Sequence, residues 1–435
     1  MKSRLAVLAL SLCLAFAARL ALAQAGSLDP AFGNEGIVVT DFGPLNNSFV
    51  TNDFSFSDAA LAPSGDIVIA GSVSGLDGQS ETAVIARYLA SGENDLTFAN
   101  DGLLTIPAPP NFVAGLSFPL SVSVQSDGKL LVLLLAANST GTQPETIVFR
   151  FNVNGKLDTS FGGQGFVFVS FPQQALLSSS PNLVLAQPDG KILVAGSALA
   201  YTGASETLLA RYLANGAPDA TFGSNGVALS VSIDSPSALA ILSGDRVLAA
   251  NLIGQIAEFA SNGKLEASSA GGTIVAKKNT GNVTFTANGK LLIGAPTQGP
   301  SGRRNLDTKI TRLLASGGLD FSFASPAISF GANGPSVKSE PSSVAVDSEG
   351  RGVVGGIFVT PAEGVFGVAR VNSNGSIDTT FGSNGAVTTQ IALEGSVFSV
   401  LVQSDNKILA IGEVQVSKTI PGTTEGLGIA RYLAQ

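Results

Sequence analysis

The chain has 435 residues, a formal net charge of −8, one cysteine, no histidine and no tryptophan. The missing histidine excludes Ser-His-Asp and Cys-His catalysis and the imidazole general base. A lone Cys13 excludes an internal disulfide and a Cys metal site, and scattered Lys and Arg in an acidic chain argue against nucleic acid.

Residues 1–23 read as a secretory signal peptide, with Lys2 and Arg4, an apolar run from Leu5 to Ala18, and Ala21-Leu22-Ala23 before Gln24. Leu12 precedes Cys13 where a lipoprotein would carry a small residue. Cleavage removes three of the 24 basic residues and leaves 21 against 32 acidic ones, a net charge of −11. No later apolar run is long enough to span a bilayer. A secreted, periplasmic or cell-surface bacterial protein is expected, stabilised by a large core. Its 51 glycines disfavour helices and suit short strands joined by turns.

Two motifs alternate along residues 24–435. The first has an Arg, an acidic residue eight positions on, and a Phe three further: Arg87 with Asp95, Arg150 with Asp158, Arg211 with Asp219, Arg312 with Asp320, and Arg370 with Asp378. A drifted copy has Glu258, Glu266 and Ser269. Asp29 opens the series without an upstream Arg, and Arg431 closes it without a downstream acid. The second motif, exemplified by QPDGKILVAG at 187–196, occurs seven times. The acidic anchors are spaced 66, 63, 61, 47, 54 and 58, or about 58 residues per repeat. Each repeat offers four strand-sized pieces, as in 183–187, 191–196, 207–213 and 226–231, joined by Pro-Asp-Gly and Asn-Gly turns. Seven such units predict an all-β fold, a single seven-bladed β-propeller of four-stranded antiparallel blades.

RYLANGAPDATFGSNG and QPDGKILVAG resemble the bacterial delta-60 repeat, over essentially all of 24–435. The resemblance implies a β-propeller and brings no activity and no catalytic residues. The copy at about 244–273 departs from it, with Glu258 for Arg and Ser269 for Phe.

A hairpin centred on Asn215 faces Arg211 with Asp219, and the same arithmetic applies to the other pairs. The N-terminal LDPAFGNEGIVVTDF is then expected to supply the outer strand of the last blade, bringing Asp29 to Arg431 and closing the ring. Glu258 opposite Glu266 is a repulsive pair on this reading. Each repeat Phe is expected to wedge between blades.

The glycine clusters lack the following helix of a phosphate loop. Asp77 and Glu81 invite a calcium reading but lack the EF-hand ligand set, so no cofactor is expected. Glu81, Glu145, Glu206, Glu363 and Glu425 recur before the third strand and read as a solvated loop edge. No carboxylate pair stands out for glycoside chemistry, and few aromatic platforms are available for a lectin. Variable connections share one face in an up-and-down blade, so binding is expected there, with Phe112, Tyr201, Arg303, Arg304 and Lys418 as candidates. The expectation is a monomeric, non-enzymatic binding or scaffold module with a protein or glycan partner. The alternative is an extracellular polymer hydrolase or lyase with carboxylates in the central channel.

Overall fold

The computed structural model describes residues 24–435 apart from 43–52, 75–80, 111, 139–143, 170–175, 202, 204, 231–232, 267–273, 280, 299–303, 329–337, 360–363 and 420–421. The segment 1–23 read as a signal peptide, Asp77, Arg303 and Glu363 therefore lie outside the described residues. Among those described, all regular structure is β, arranged as seven antiparallel blades in a ring.

Blade 1 comprises Phe54–Leu61, Ile67–Ser74, Glu81–Tyr88 and Leu103–Thr105. Blade 2 comprises Phe112–Val124, Leu130–Asn138, Pro144–Phe151 and Phe166–Phe168, and blade 3 Leu176–Ala186, Ile192–Ala200, Ser205–Tyr212 and Val227–Ser230. Blade 4 contains Ala238–Leu242, Val247–Ala250, Ile256–Phe259 and Ile274–Asn279. Blade 5 contains Val283–Phe285, Leu291–Gln298, Arg304–Leu313 and Ala327–Ile328, and blade 6 Lys338–Val346, Gly352–Val359, Gly364–Val371 and Ala386–Thr389. Blade 7 joins Gly395–Val402, Ile408–Thr419 and Gly422–Tyr432 to the N-terminal strand Ile37–Thr40, with Ile37 opposite Ala430. The predicted closure of the ring is thus present.

The turns follow from their residues. Gln187 and Lys191 face each other with Gly190 at φ 85°, so Pro188-Asp189-Gly190 is a three-residue loop that places glycine in the left-handed region. Second strands such as Ile192–Ala195 are fully buried because they have a blade on each side. That explains their unbroken apolar runs where a half-exposed strand would alternate. The core is divided accordingly into seven apolar clusters, one at each interface between neighbouring blades. A backbone stitch crosses several inner-strand junctions: Ser121 Oγ accepts from Val184 N, and Ser343 Oγ from Val400 N.

Blade 4 departs from the expected pattern. Its third strand, Ile256–Phe259, has no outer partner among the described residues. The strand Ile274–Asn279 pairs on the other side, inside Ala238–Leu242. The repeat Phe and its following glycine turn, which feed the outer strand elsewhere, are replaced here by Ser269 and its neighbours. The expected repulsion is relieved as well: Arg246 pairs with buried Glu258 and lies 3.9 Å from Glu266.

Candidate functional site

The repeated Arg, Asp and Phe assemble a joint between blades. Arg211 Nε donates to Asp219 Oδ2 at 2.8 Å, and its guanidinium lies 4.3 Å from the Phe222 ring centroid. Its Nη1 donates to Ser261 O of the next blade at 2.7 Å. Gly223 N beside that Phe also donates to Asn262 O of the same neighbouring turn. The pairs Arg87–Asp95, Arg150–Asp158, Arg312–Asp320, Arg370–Asp378 and Arg431–Asp29 repeat the arrangement. Each Arg also reaches a carbonyl of the following blade, and Arg431 reaches Ala90 across the closure. The Asp carboxylates are ion-paired as well. Burial alone would raise Asp158, but the Ser160 hydroxyl, Lys129, the Ser160 N–H and Arg150 outweigh it and hold its carboxyl at about 2. These groups are committed to structure. Sequence reading missed the Lys of the DGK turn as a third partner: Lys129, Lys290 and Lys407 reach Asp158, Asp320 and Asp29. Its recurrence at one motif position was the available signal.

The central channel holds a cavity of about 360 Å³. All seven blades contribute, with Ala59, Val122, Leu185, Ala345 and Val400 among its walls. The inserted strand of blade 4 adds Lys277 and Lys278. Lys278 forms a 2.5 Å pair with Asp58 of blade 1, and Asp58 accepts from Ala59 N at 2.8 Å and Val122 N at 2.7 Å. Lys277 Nζ donates to Phe285 O at 3.0 Å. No carboxylate is among the residues that line the cavity. The two lysines were not singled out from the sequence. The missing Phe of this short repeat was the only hint that its chain would turn inward.

The predicted binding residues fall at one end of the blades but on four of them. Tyr201 follows the second strand of blade 3 and is 63% exposed. Phe112 opens the inner strand of blade 2 and stacks on Phe168 at 5.7 Å. Arg304 begins the third strand of blade 5, and Lys418 lies near the end of the second strand of blade 7. The connection around 413–426, one of the variable ones expected on the binding face, is largely a ladder, paired as far as Thr419 opposite Gly422. The alternation of Val414 and Val416 with polar neighbours favours that extension. At the junction of blades 7 and 1, Glu413 Oε1 accepts from Phe56 N at 2.7 Å, and Glu425 N donates to Asp53 Oδ1 at 3.3 Å. Burial, Asp53 and Glu394 push the Glu425 carboxyl up; burial and Glu425 do the same to Glu413 against the Phe56 N–H. Among the described residues no group of three or more His, Cys, Asp or Glu side chains is arranged to hold a metal ion, and no helix is long and apolar enough to cross a membrane.

Residues 125–161, 187–222 and 350–381 match the family described as a domain of unknown function (DUF5122) beta-propeller. These stretches fall in blades 2, 3 and 6. No curated protein matches the chain. Among solved structures, the β-propeller domain of the Trilobed protease from Pyrococcus furiosus is 10% identical with a TM-score of 0.43, covering 89% of this chain and 95% of that one. An acylaminoacyl peptidase is 9% identical with a TM-score of 0.43, covering 88% of this chain and 52% of its own, so the chain spans about half of that enzyme. The α-L-arabinofuranosidase Arb93A from Fusarium graminearum is 9% identical with a TM-score of 0.39, covering 88% and 98%. The chain is a seven-bladed β-propeller whose repeat matches the DUF5122 propeller in three blades.

Proposed function

We propose that this propeller is a non-enzymatic binding or scaffold module, exported past the inner membrane and acting in the periplasm, at the cell surface or outside. It works as a monomer, without a cofactor, and engages a protein or glycan through the face carrying the variable connections. The observation that carries this reading is the channel lining, in which small and aliphatic residues stand beside Ser123, Thr284, Lys277 and Lys278 and no carboxylate is among the lining residues. Glycoside hydrolysis there would need two acidic groups at a working separation. The nearby Asp58 is instead held by Lys278 and two backbone N–H groups. Variable segments on a rigid ring are the usual seat of recognition.

Glycan and peptide arrays, followed by capture from the native envelope, test the reading. Binding that is lost when the variable connections are exchanged between blades supports it. Polymer cleavage that disappears in Asp58→Asn would replace it with the enzyme alternative.

A further inference from the structure

The six Arg joints share one composition. A guanidinium lies 4.3–5.5 Å from a Phe ring centroid, pairs with an Asp and donates to a carbonyl of the next blade. The same parts recur without a cation where blades 7 and 1 meet, on the face of the variable connections. Phe56 of blade 1 stacks on Phe398 of blade 7 at 5.9 Å, and Phe398 is 40% exposed. Glu413, whose Oε1 accepts from Phe56 N, lies two residues before Gln415, and Gln415 stands directly opposite Glu425. The three side chains therefore leave one face of the sheet. Ile411, next in that alternation, packs in the cluster shared with blade 1, so this face is turned to blade 1. Asp53 of blade 1 accepts from Glu425 N. Glu413, Glu425 and Asp53 are half-buried, and none meets a Lys or Arg among the described residues. The adjoining segments 43–52 and 420–421 contain neither residue type. By contrast, every fully buried carboxylate among the described residues is ion-paired. Gln415 is only 9% exposed, and its Oε1 has no hydrogen-bond partner. Burial and then neighbouring carboxylates push Glu413 and Glu425 up, the behaviour of acids that lack a counter-charge.

We propose that this junction binds the guanidinium of an arginine side chain presented by a partner polypeptide. The assignment rests on the reading that the face of the variable connections engages a partner, and it narrows that partner to a protein with an accessible arginine. Glu413, Glu425 and Asp53 supply the charge. Gln415 Oε1 supplies the amide acceptor that a backbone carbonyl supplies at the joints. Phe56 and Phe398 supply the aromatic surface. A guanidinium matches this set because it carries five N–H donors in one plane and stacks on aromatic rings. A quaternary ammonium has no donor for Gln415, and an anion would meet only like charge.

NMR titration of the full mature protein, carbon-13 labelled at phenylalanine, tests the proposal with N-acetylated Gly-Arg-Gly amide as probe. The same peptide with citrulline for Arg is the neutral isostere, and the Lys peptide is the competing cation. One Arg peptide should bind per chain and shift the Phe398 resonances. The citrulline peptide should bind at least about tenfold more weakly, a difference of about 1.4 kcal/mol. The Lys peptide should be weaker by several-fold, having no planar fork. The double variant Glu413→Gln with Glu425→Gln keeps the acceptor for Phe56 N and should lose affinity by at least about tenfold. Phe398→Ala should lose several-fold. The proposal is overturned by no saturable binding of the Arg peptide, by equal binding of the citrulline or Lys peptide, or by undiminished binding to the double variant. It is also overturned if a captured partner that needs the variable connections binds the double variant as tightly as the unmodified protein, a result that leaves the loop-face reading standing. Failure of the loop-face reading is seen separately, in partner binding that survives exchange of the variable connections.

Discussion

Arg431 in the last strand and Asp29 near the start of the described chain form an ion pair at 2.9 Å, and Asp29 N donates to Arg431 O at 2.8 Å. The contact that five other joints make within one repeat is made here between the two ends. Breaking a buried pair strands its partner, at a cost of about 3–5 kcal/mol. Asp29→Ala should therefore lower the urea midpoint with little change in slope. Asp29→Asn, which keeps the acceptor for Ala31 N, should cost less. If Asp29→Ala leaves the midpoint where it was, the pair does not secure the closure.

The pH profile should have two opposing limbs. Asp158 is held at about 2 against an ordinary 3.8, and Asp29, Asp219 and Asp378 are lowered in the same direction. Their folded forms bind fewer protons than the unfolded chain. Their stabilisation is present above the ordinary carboxylate range and is lost as pH falls from about 4 toward 2. Glu413 and Glu425 are raised, so their contribution is largest in acid and declines as pH rises through their folded values. Glu413→Gln should thus raise the melting temperature at pH 7 and leave it nearly unchanged at pH 4. Asp158→Asn should flatten the acid limb. A melting temperature that is level across this range would contradict both assignments.

Gly216 has φ 90°, and a Cβ there would meet Phe161 Cε2 at 2.9 Å and Gly162 N at 3.0 Å. Gly163 has φ 77° with nothing within 4 Å. Gly163→Ala should carry the left-handed backbone cost of about 1–2 kcal/mol. Gly216→Ala should cost clearly more, because the blade 2 Phe would have to move. Equal destabilisation in thermal melts would mean that the close packing contributes nothing.

The drifted blade has exchanged its charges. Glu258 occupies the repeat's Arg position, and Arg246, in the DGK-type turn, supplies the cation. Arg246→Ala removes a cation from buried Glu258 and should destabilise the fold, by at most the roughly 3–5 kcal/mol of a broken buried pair. The double replacement Arg246→Met with Glu258→Leu should recover most of that loss. A double mutant as unstable as Arg246→Ala, measured by denaturant unfolding, would show that the pair acts through something other than charge burial.

Repetition made the fold legible before any coordinates. Seven copies of one turn set the blade number, the constant spacing of Arg211 to Asp219 set the hairpin, and unmatched Asp29 and Arg431 set the closure. These features are local or periodic, so residue order alone specifies them. The inward strand Ile274–Asn279, the bond from Lys278 to Asp58 across the channel, and the placement of Lys277 at the axial cavity were decided only by tertiary structure. They depend on where a segment without the repeat's turn residues finds unpaired backbone and room. That is a property of the closed ring rather than of the sequence surrounding the two lysines.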